Sequence, residues 1–176
     1  PREQYYRDVR IHPIHEGTTG IQGLDLLGRK VIMKNGRAYK FYLSEVKKTI
    51  EEAKGVSELL PYAQALEELV GKIDQVTNFL IGIAQQGNPE RFLADATLYL
   101  ELFGIVSVAW QWLLQAMVAS RKLKEGFSPE DERFYQGKLL TCRYFYAYEV
   151  PKTEGLMARL MNNDGLTVEM NLECLD

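Results

Sequence analysis

The chain is 176 residues long, 26% of them charged, with a net charge of −3. That length accommodates one domain with a sizeable core, and the mixed, slightly acidic balance lacks the basic, aromatic-laced stripe that nucleic acid needs. The two cysteines, Cys142 and Cys174, lie far apart with no CxxC and no nearby histidine pair, which argues against a metal site or a disulfide scaffold and suits a reducing, cytoplasmic setting.

Taken in order, residues 1–11 read as the end of a helix, closed by Pro13, and residues 12–19 as a turn. Asp8 with Arg7 or Arg10 reads as a structural ion pair. From Gly20 to about Met33, Ile21, Leu24, Leu27 and Val31 fall three and four apart, one helical face. Asn35-Gly36 breaks that run, and a further helix is predicted over 38–54, with Phe41 and Ile50 among its apolar positions and Gly55 at its end. Beyond Ser57, the residues Leu59, Ala63, Leu66, Val70, Ile73, Thr77, Leu80 and Ala84 step by four and three. That is the seam of a long bundle helix, ended by Gly87.

Asn88-Pro89 supplies a cap and a first-turn proline for a helix running to about 124. Within it Leu102 to Ala119 carries no charge, which touches the lower length limit of a membrane span. Ser107, Gln111 and Gln115 dilute the run, and the flanking amphipathic helices need an apolar partner. The stretch is therefore predicted to be the middle of a bundle and not a membrane span. Trp110, Trp112 and the aromatics of Tyr144–Tyr148 read as packing residues at helical spacing.

Ser128-Pro129-Glu130-Asp131 restarts a helix after Gly126. Tyr135, Leu139, Cys142, Tyr146 and Val150 form its stripe, with Cys142 read as a small buried apolar residue. Pro151 opens a short piece to about Asn162, and Gly165–Asp176 is predicted to be an extended tail. The fold class is all-α: an antiparallel bundle of long helices with no significant sheet and no internal repeat.

Against this scaffold one run reads as a site. Glu16 places a carboxylate just outside a helix, beside Gly17, whose missing side chain lets a ligand approach the backbone. Thr18 or Thr19 can cap the helix that follows, and open N–H groups at such a start favour an anion. By itself a glutamate at such a place is more often solvated than catalytic. His12, His15 and Glu16 do not match the spacing of zinc proteases, and Pro13 prevents a regular helical face from presenting both rings. The glycines at 17, 20 and 23 follow no strand and form no dinucleotide fingerprint, and the Glu-x-x-His pairs of di-iron bundles are absent.

Arg7-Asp8-Val9-Arg10-Ile11, followed by His15-Glu16-Gly17-Thr18-Thr19-Gly20-Ile21-Gln22, resembles the late signature of flavin-dependent acyl-CoA dehydrogenases, R-D-A-[RK]-I and then Y-E-G-T-x-x-I-Q. Leu24-Asp25-Leu26-Leu27-Gly28-Arg29-Lys30 looks like the 3-methylmercaptopropionyl-CoA dehydrogenase-like branch, which carries an extra helical C-terminal region. The close match covers about residues 5–31. The resemblance implies that Glu16 is the catalytic base, that Gly17 contacts substrate, and that Thr18, Thr19, Gly20 and Gln22 lie on FAD. His15 departs from the tyrosine usual in the motif.

The resemblance further implies a division into residues 1–34, the end of the dehydrogenase helical domain, residues 35–162, an additional bundle, and a tail over 163–176. It implies an acyl-CoA substrate, an electron-transfer flavoprotein or similar acceptor, and a homo-oligomer. Pro1 in place of Met, and a start in mid-pattern, lead to the expectation of a piece of a longer enzyme, inactive alone. A stand-alone helical interaction module without catalysis is the other function compatible with the residues.

Overall fold

The computed structural model describes residues 2–10, 18–126, 128–170 and 173. Helix α1 spans Arg2–Val9, and α2 spans Thr19–Asp25, running on as a π-helical turn over Leu26–Lys30. Then follow α3 (Met33–Lys54), a 3₁₀ turn (Ser57–Leu59), α4 (Leu60–Gln85), α5 (Pro89–Leu93) and α6 (Ala96–Glu125). The chain continues with α7 (Pro129–Tyr144), a second π turn (Phe145–Glu149), α8 (Lys152–Asn162) and α9 (Leu166–Glu169). No strand occurs among the described residues, and the architecture is the all-α bundle expected.

Two helix starts, those of α5 and α7, form where the sequence offers a side-chain acceptor. Asn88 Oδ1 accepts the Arg91 amide at 3.2 Å, and Ser128 Oγ accepts the Asp131 amide at 3.2 Å. Each cap precedes a proline whose missing N–H would have been unpaired in any case. In α4 the predicted seam is the buried one: Ala63, Leu66, Val70, Ile73, Thr77 and Leu80 all lie inside.

Helix α6 is the centre. It packs against α2, α3, α4, α7 and α8, burying Tyr99, Leu102, Val106, Ala109, Leu113 and Ala116. Hydrogen bonds fix it against its neighbours. Tyr99 pairs with Thr77 of α4 (2.8 Å), and Ser107 with Tyr42 of α3 (3.0 Å). Trp110 Nε1 donates to Thr49 of α3 (2.8 Å), and the Tyr146 hydroxyl donates to the Ala109 carbonyl (3.1 Å). Unpaired, such buried groups would each cost about 1–3 kcal/mol. At the far end Arg91 Nη2 donates to the Asn163 carbonyl, and Asn163 Nδ2 returns a bond to the Arg91 carbonyl (3.1 Å), clasping α8 to α5.

Several expectations are corrected. The single helix predicted over 89–124 is broken between α5 and α6, where Asp95 is buried and accepts from Arg159 Nε at 3.3 Å. The Asp95 carboxylate makes no capping bond to the backbone, so the break is held by Arg159 of α8 and not by a local cap. The tail is not wholly extended. Asp164 Oδ1 caps the Leu166 amide (3.0 Å) and starts α9 after the left-handed Asn163 and Gly165. Ile21, Leu24 and Phe41 are exposed, not core. Arg7 pairs with Glu3 (3.5 Å), while Asp8 accepts from Gln4 (2.8 Å), each across one helical turn. Tyr144 and Tyr148 stack on one another outside the bundle (centroids 4.8 Å apart), and only Tyr146 between them is buried.

The break foreseen at Asn35-Gly36 is present as three left-handed residues, Lys34, Asn35 and Gly36. Gly36 adopts this geometry without strain, and asparagine tolerates it better than most residues.

Burial raises the pKa of the Tyr39, Tyr99 and Tyr146 hydroxyls and pushes the Cys142 thiol up to about 12. The unfolded chain ionises its thiol near about 8.5 and its phenols near about 10, so at higher pH it holds fewer protons than the folded chain. Stability is therefore expected to fall as pH rises above about 9, by up to about 1.4 kcal/mol per pH unit for each such group. Urea midpoints measured from pH 7 to 11 check this, and a flat profile would contradict it.

Candidate functional site

Of the residues assigned to the site from sequence, Glu16 and Gly17 lie outside the described residues, as do His12 and His15. Thr18, Thr19, Gly20 and Gln22 are described. They fall within little more than one turn and are exposed. Thr18 precedes α2 with a non-helical backbone (φ −109°, ψ 10°), and its carbonyl accepts the Gln22 amide at 2.7 Å. Its side chain makes no capping hydrogen bond. The carbonyl bond is the ordinary first bond of the helix, and the hydroxyl cap expected at Thr18 is not made.

What holds this turn in place is a glycine that the apolar periodicity passes over. Gly23 sits so close to α6 that an added Cβ would stand 2.7 Å from the Ala96 carbonyl oxygen. One turn on, Leu27 is fully buried, and Gly28 lies against the Leu93 side chain. The inward face of α2 and of the π turn that continues it therefore runs from Gly23 through Leu27 to Val31. Thr19, Gly20, Gln22, Ile21 and Leu24 are left facing out. The signal for this face was available: Gly23 and Leu27 are four apart, but glycine carries no hydrophobic weight in a periodicity count.

Asp25 closes the segment. Arg29 and Lys30 both donate to its carboxylate, Lys30 at 3.1 Å, and these bonds hold its pKa down at about 2. The carboxylate is thus ionised at working pH and neutralised locally, fixing the π turn that follows α2.

A cavity of about 570 Å³ lies between α3 and α4, lined by Tyr39, Lys40, Leu43, Asp74 and Asn78 among others. It takes in none of the sequence-assigned site residues. The Tyr39 hydroxyl at its wall is buried without a hydrogen-bond partner. Among the described residues no three His, Cys, Asp or Glu side chains converge.

The family model described as Acetyl-CoA dehydrogenase C-terminal like matches residues 42–171. The 3-methylmercaptopropionyl-CoA dehydrogenase of Ruegeria pomeroyi is 37% identical over 143 residues, covering 81% of this chain and 24% of that protein. The broad-specificity linear acyl-CoA dehydrogenase FadE5 of Mycobacterium tuberculosis is 28% identical over 151 residues, covering 82% and 24%. A butyryl-CoA dehydrogenase of Syntrophomonas wolfei is 26% identical over 165 residues, covering 93% and 27%. The chain spans about a quarter of the length of these curated relatives.

The close seat of α2 is directly testable. Gly23→Ala is expected to destabilise the chain by about 1–3 kcal/mol, because backbone atoms stand where the methyl must go. Gly20→Ala, with nothing within 4 Å of its Cβ, is expected to be neutral or to stabilise by up to about 1 kcal/mol. Urea unfolding of both variants decides the matter, and equal effects would refute the seating.

Proposed function

The chain belongs to the acyl-CoA dehydrogenase family, and from that premise we propose that it is the C-terminal part of an FAD-dependent enzyme that desaturates an acyl-CoA thioester between its α and β carbons. Residues 1–34 complete the dehydrogenase helical domain, residues 35–162 form the additional bundle, and 163–176 are a tail.

The observation that carries the reading is the run Glu16-Gly17-Thr18-Thr19-Gly20-Ile21-Gln22, joined in one chain to a bundle of that family. Glu16 takes the α-proton of the thioester. To do so its carboxylate must reach the α-carbon, and in a dry site its pKa rises towards working pH. Gly17 leaves room for the substrate beside that carboxylate. Thr18, Thr19, Gly20 and Gln22 hold FAD. Their exposure on one outward turn suits a large polar cofactor, with hydroxyl, amide and backbone N–H groups turned away from the bundle. When bound, FAD supplies the acceptor for the β-hydrogen as hydride, leaving a trans-enoyl-CoA.

The remaining flavin and thioester contacts come from parts of the enzyme beyond this chain, so the 176 residues alone are inactive and hold no stoichiometric flavin. Electrons pass to an electron-transfer flavoprotein or a similar acceptor. The enzyme is a cytoplasmic homo-oligomer.

In the enzyme of full family length, Glu16→Gln should retain flavin absorbance yet lower the rate of acyl-CoA-dependent flavin bleaching by about 10²–10⁴-fold. Undiminished bleaching would overturn the role of Glu16. A colourless protein, inert towards acyl-CoA, would favour a non-catalytic interaction module instead.

A further inference from the structure

The start of α2 rests main chain against main chain on the first turn of α6. An added Cβ on Gly23 would meet the Ala96 carbonyl oxygen at 2.7 Å, its carbonyl carbon at 2.8 Å and the Thr97 nitrogen at 3.0 Å. All three are backbone atoms, so no change of rotamer relieves the clash. A methyl there must retreat by most of an ångström to reach ordinary contact.

Which partner gives way follows from how each is held. Before the first turn of α6, buried Asp95 accepts from Arg159 Nε of α8 at 3.3 Å, and Ala96 is itself buried. Within that turn Tyr99 is fully buried and pairs with Thr77 of α4 at 2.8 Å. The start of α2 is tied less firmly, because Thr18 makes no side-chain cap and Thr19, Gly20, Ile21 and Gln22 are exposed. Leu27, in the π turn that follows, is fully buried. A wedge at Gly23 therefore leaves α6 in place and tilts α2 about Leu27, so that the free end, Thr19 to Gln22, travels farthest. Gly28 is not equivalent, since its Cβ would meet a Leu93 side-chain carbon at 3.1 Å, which can turn aside.

We propose that Gly23 is a positioning residue for the flavin turn. Its bare Cα lets α2 seat on the Ala96–Thr97 peptide at the depth that places Thr19, Gly20 and Gln22 for FAD, so the bundle sets where the cofactor is held. The inference rests on the assignment of those three residues to FAD made above.

The test is titration of FAD into the flavin-stripped enzyme of full family length, followed by visible absorbance. Gly23→Ala is expected to weaken FAD binding at least about tenfold, as the loss of one hydrogen bond would, and to slow acyl-CoA-dependent bleaching by up to about 10²-fold. Gly28→Ala should bind FAD like the wild type. Leu66→Ala, fully buried in α4 about three turns from Thr77, should lower the urea midpoint at least as far as Gly23→Ala yet keep wild-type FAD affinity. Should Gly23→Ala unfold, trimethylamine N-oxide restores its folded fraction without restoring the seat, and the same titration applies. A Gly23→Ala enzyme that binds FAD as tightly as the wild type overturns the proposal and leaves the flavin reading intact. An equal loss of affinity in Leu66→Ala also overturns it, because affinity then follows stability alone. A wild-type enzyme that takes up no flavin removes the reading beneath it.

Discussion

Leu102 to Ala119 carries no charge, so this stretch gains most by being surrounded, and α6 accordingly lies against α2, α3, α4, α7 and α8. Enclosure brings its own demand, because each hydroxyl or indole carried into the bundle needs a partner there. Tyr99, Ser107 and Trp110 find theirs on α3 and α4, and the Ala109 carbonyl finds one in Tyr146. These bonds are directional where apolar contact is not. They set the register in which α3, α4 and the segment after α7 settle around the central helix.

Much of this was legible in the sequence, for local reasons. Asn88-Pro89 and Ser128-Pro129 announce helix starts because a side-chain acceptor and a missing N–H act within four residues. The seam of α4 follows from spacing alone. What escaped depends on atoms distant in the chain. The break at Asp95 is tied to Arg159, and the outward turn of Ile21 and Leu24 is tied to the fit of Gly23 on Ala96. The two π turns insert a residue into the helical repeat, which shifts the later positions of a stripe counted at 3.6 residues per turn. The pair Tyr144 and Tyr148 lies on the outside next to such a turn.

The proposed site is legible in a different way. It rests on a short string of residue types, Glu16 to Gln22, which lies before the residues 42–171 that the family model matches. Among the described residues, α2 carries the end of that string into the bundle. Its inner face of Gly23 and Leu27 belongs to the core, and its outer face carries Thr19, Gly20 and Gln22. Periodicity alone could not separate these faces, since the outer one is also partly apolar.

The mutual bonds between Arg91 and Asn163 join residues 72 positions apart, turning α5 through α8 into a ring closed by a polar clasp. Ring closure in a flexible chain depends only logarithmically on circumference, about 0.6 kcal/mol for each doubling. Extra residues spliced in near Gly126 should therefore barely loosen the ring, whereas cutting the chain before Asn163 opens it outright. Tolerance to insertion and intolerance to trimming have a common origin here.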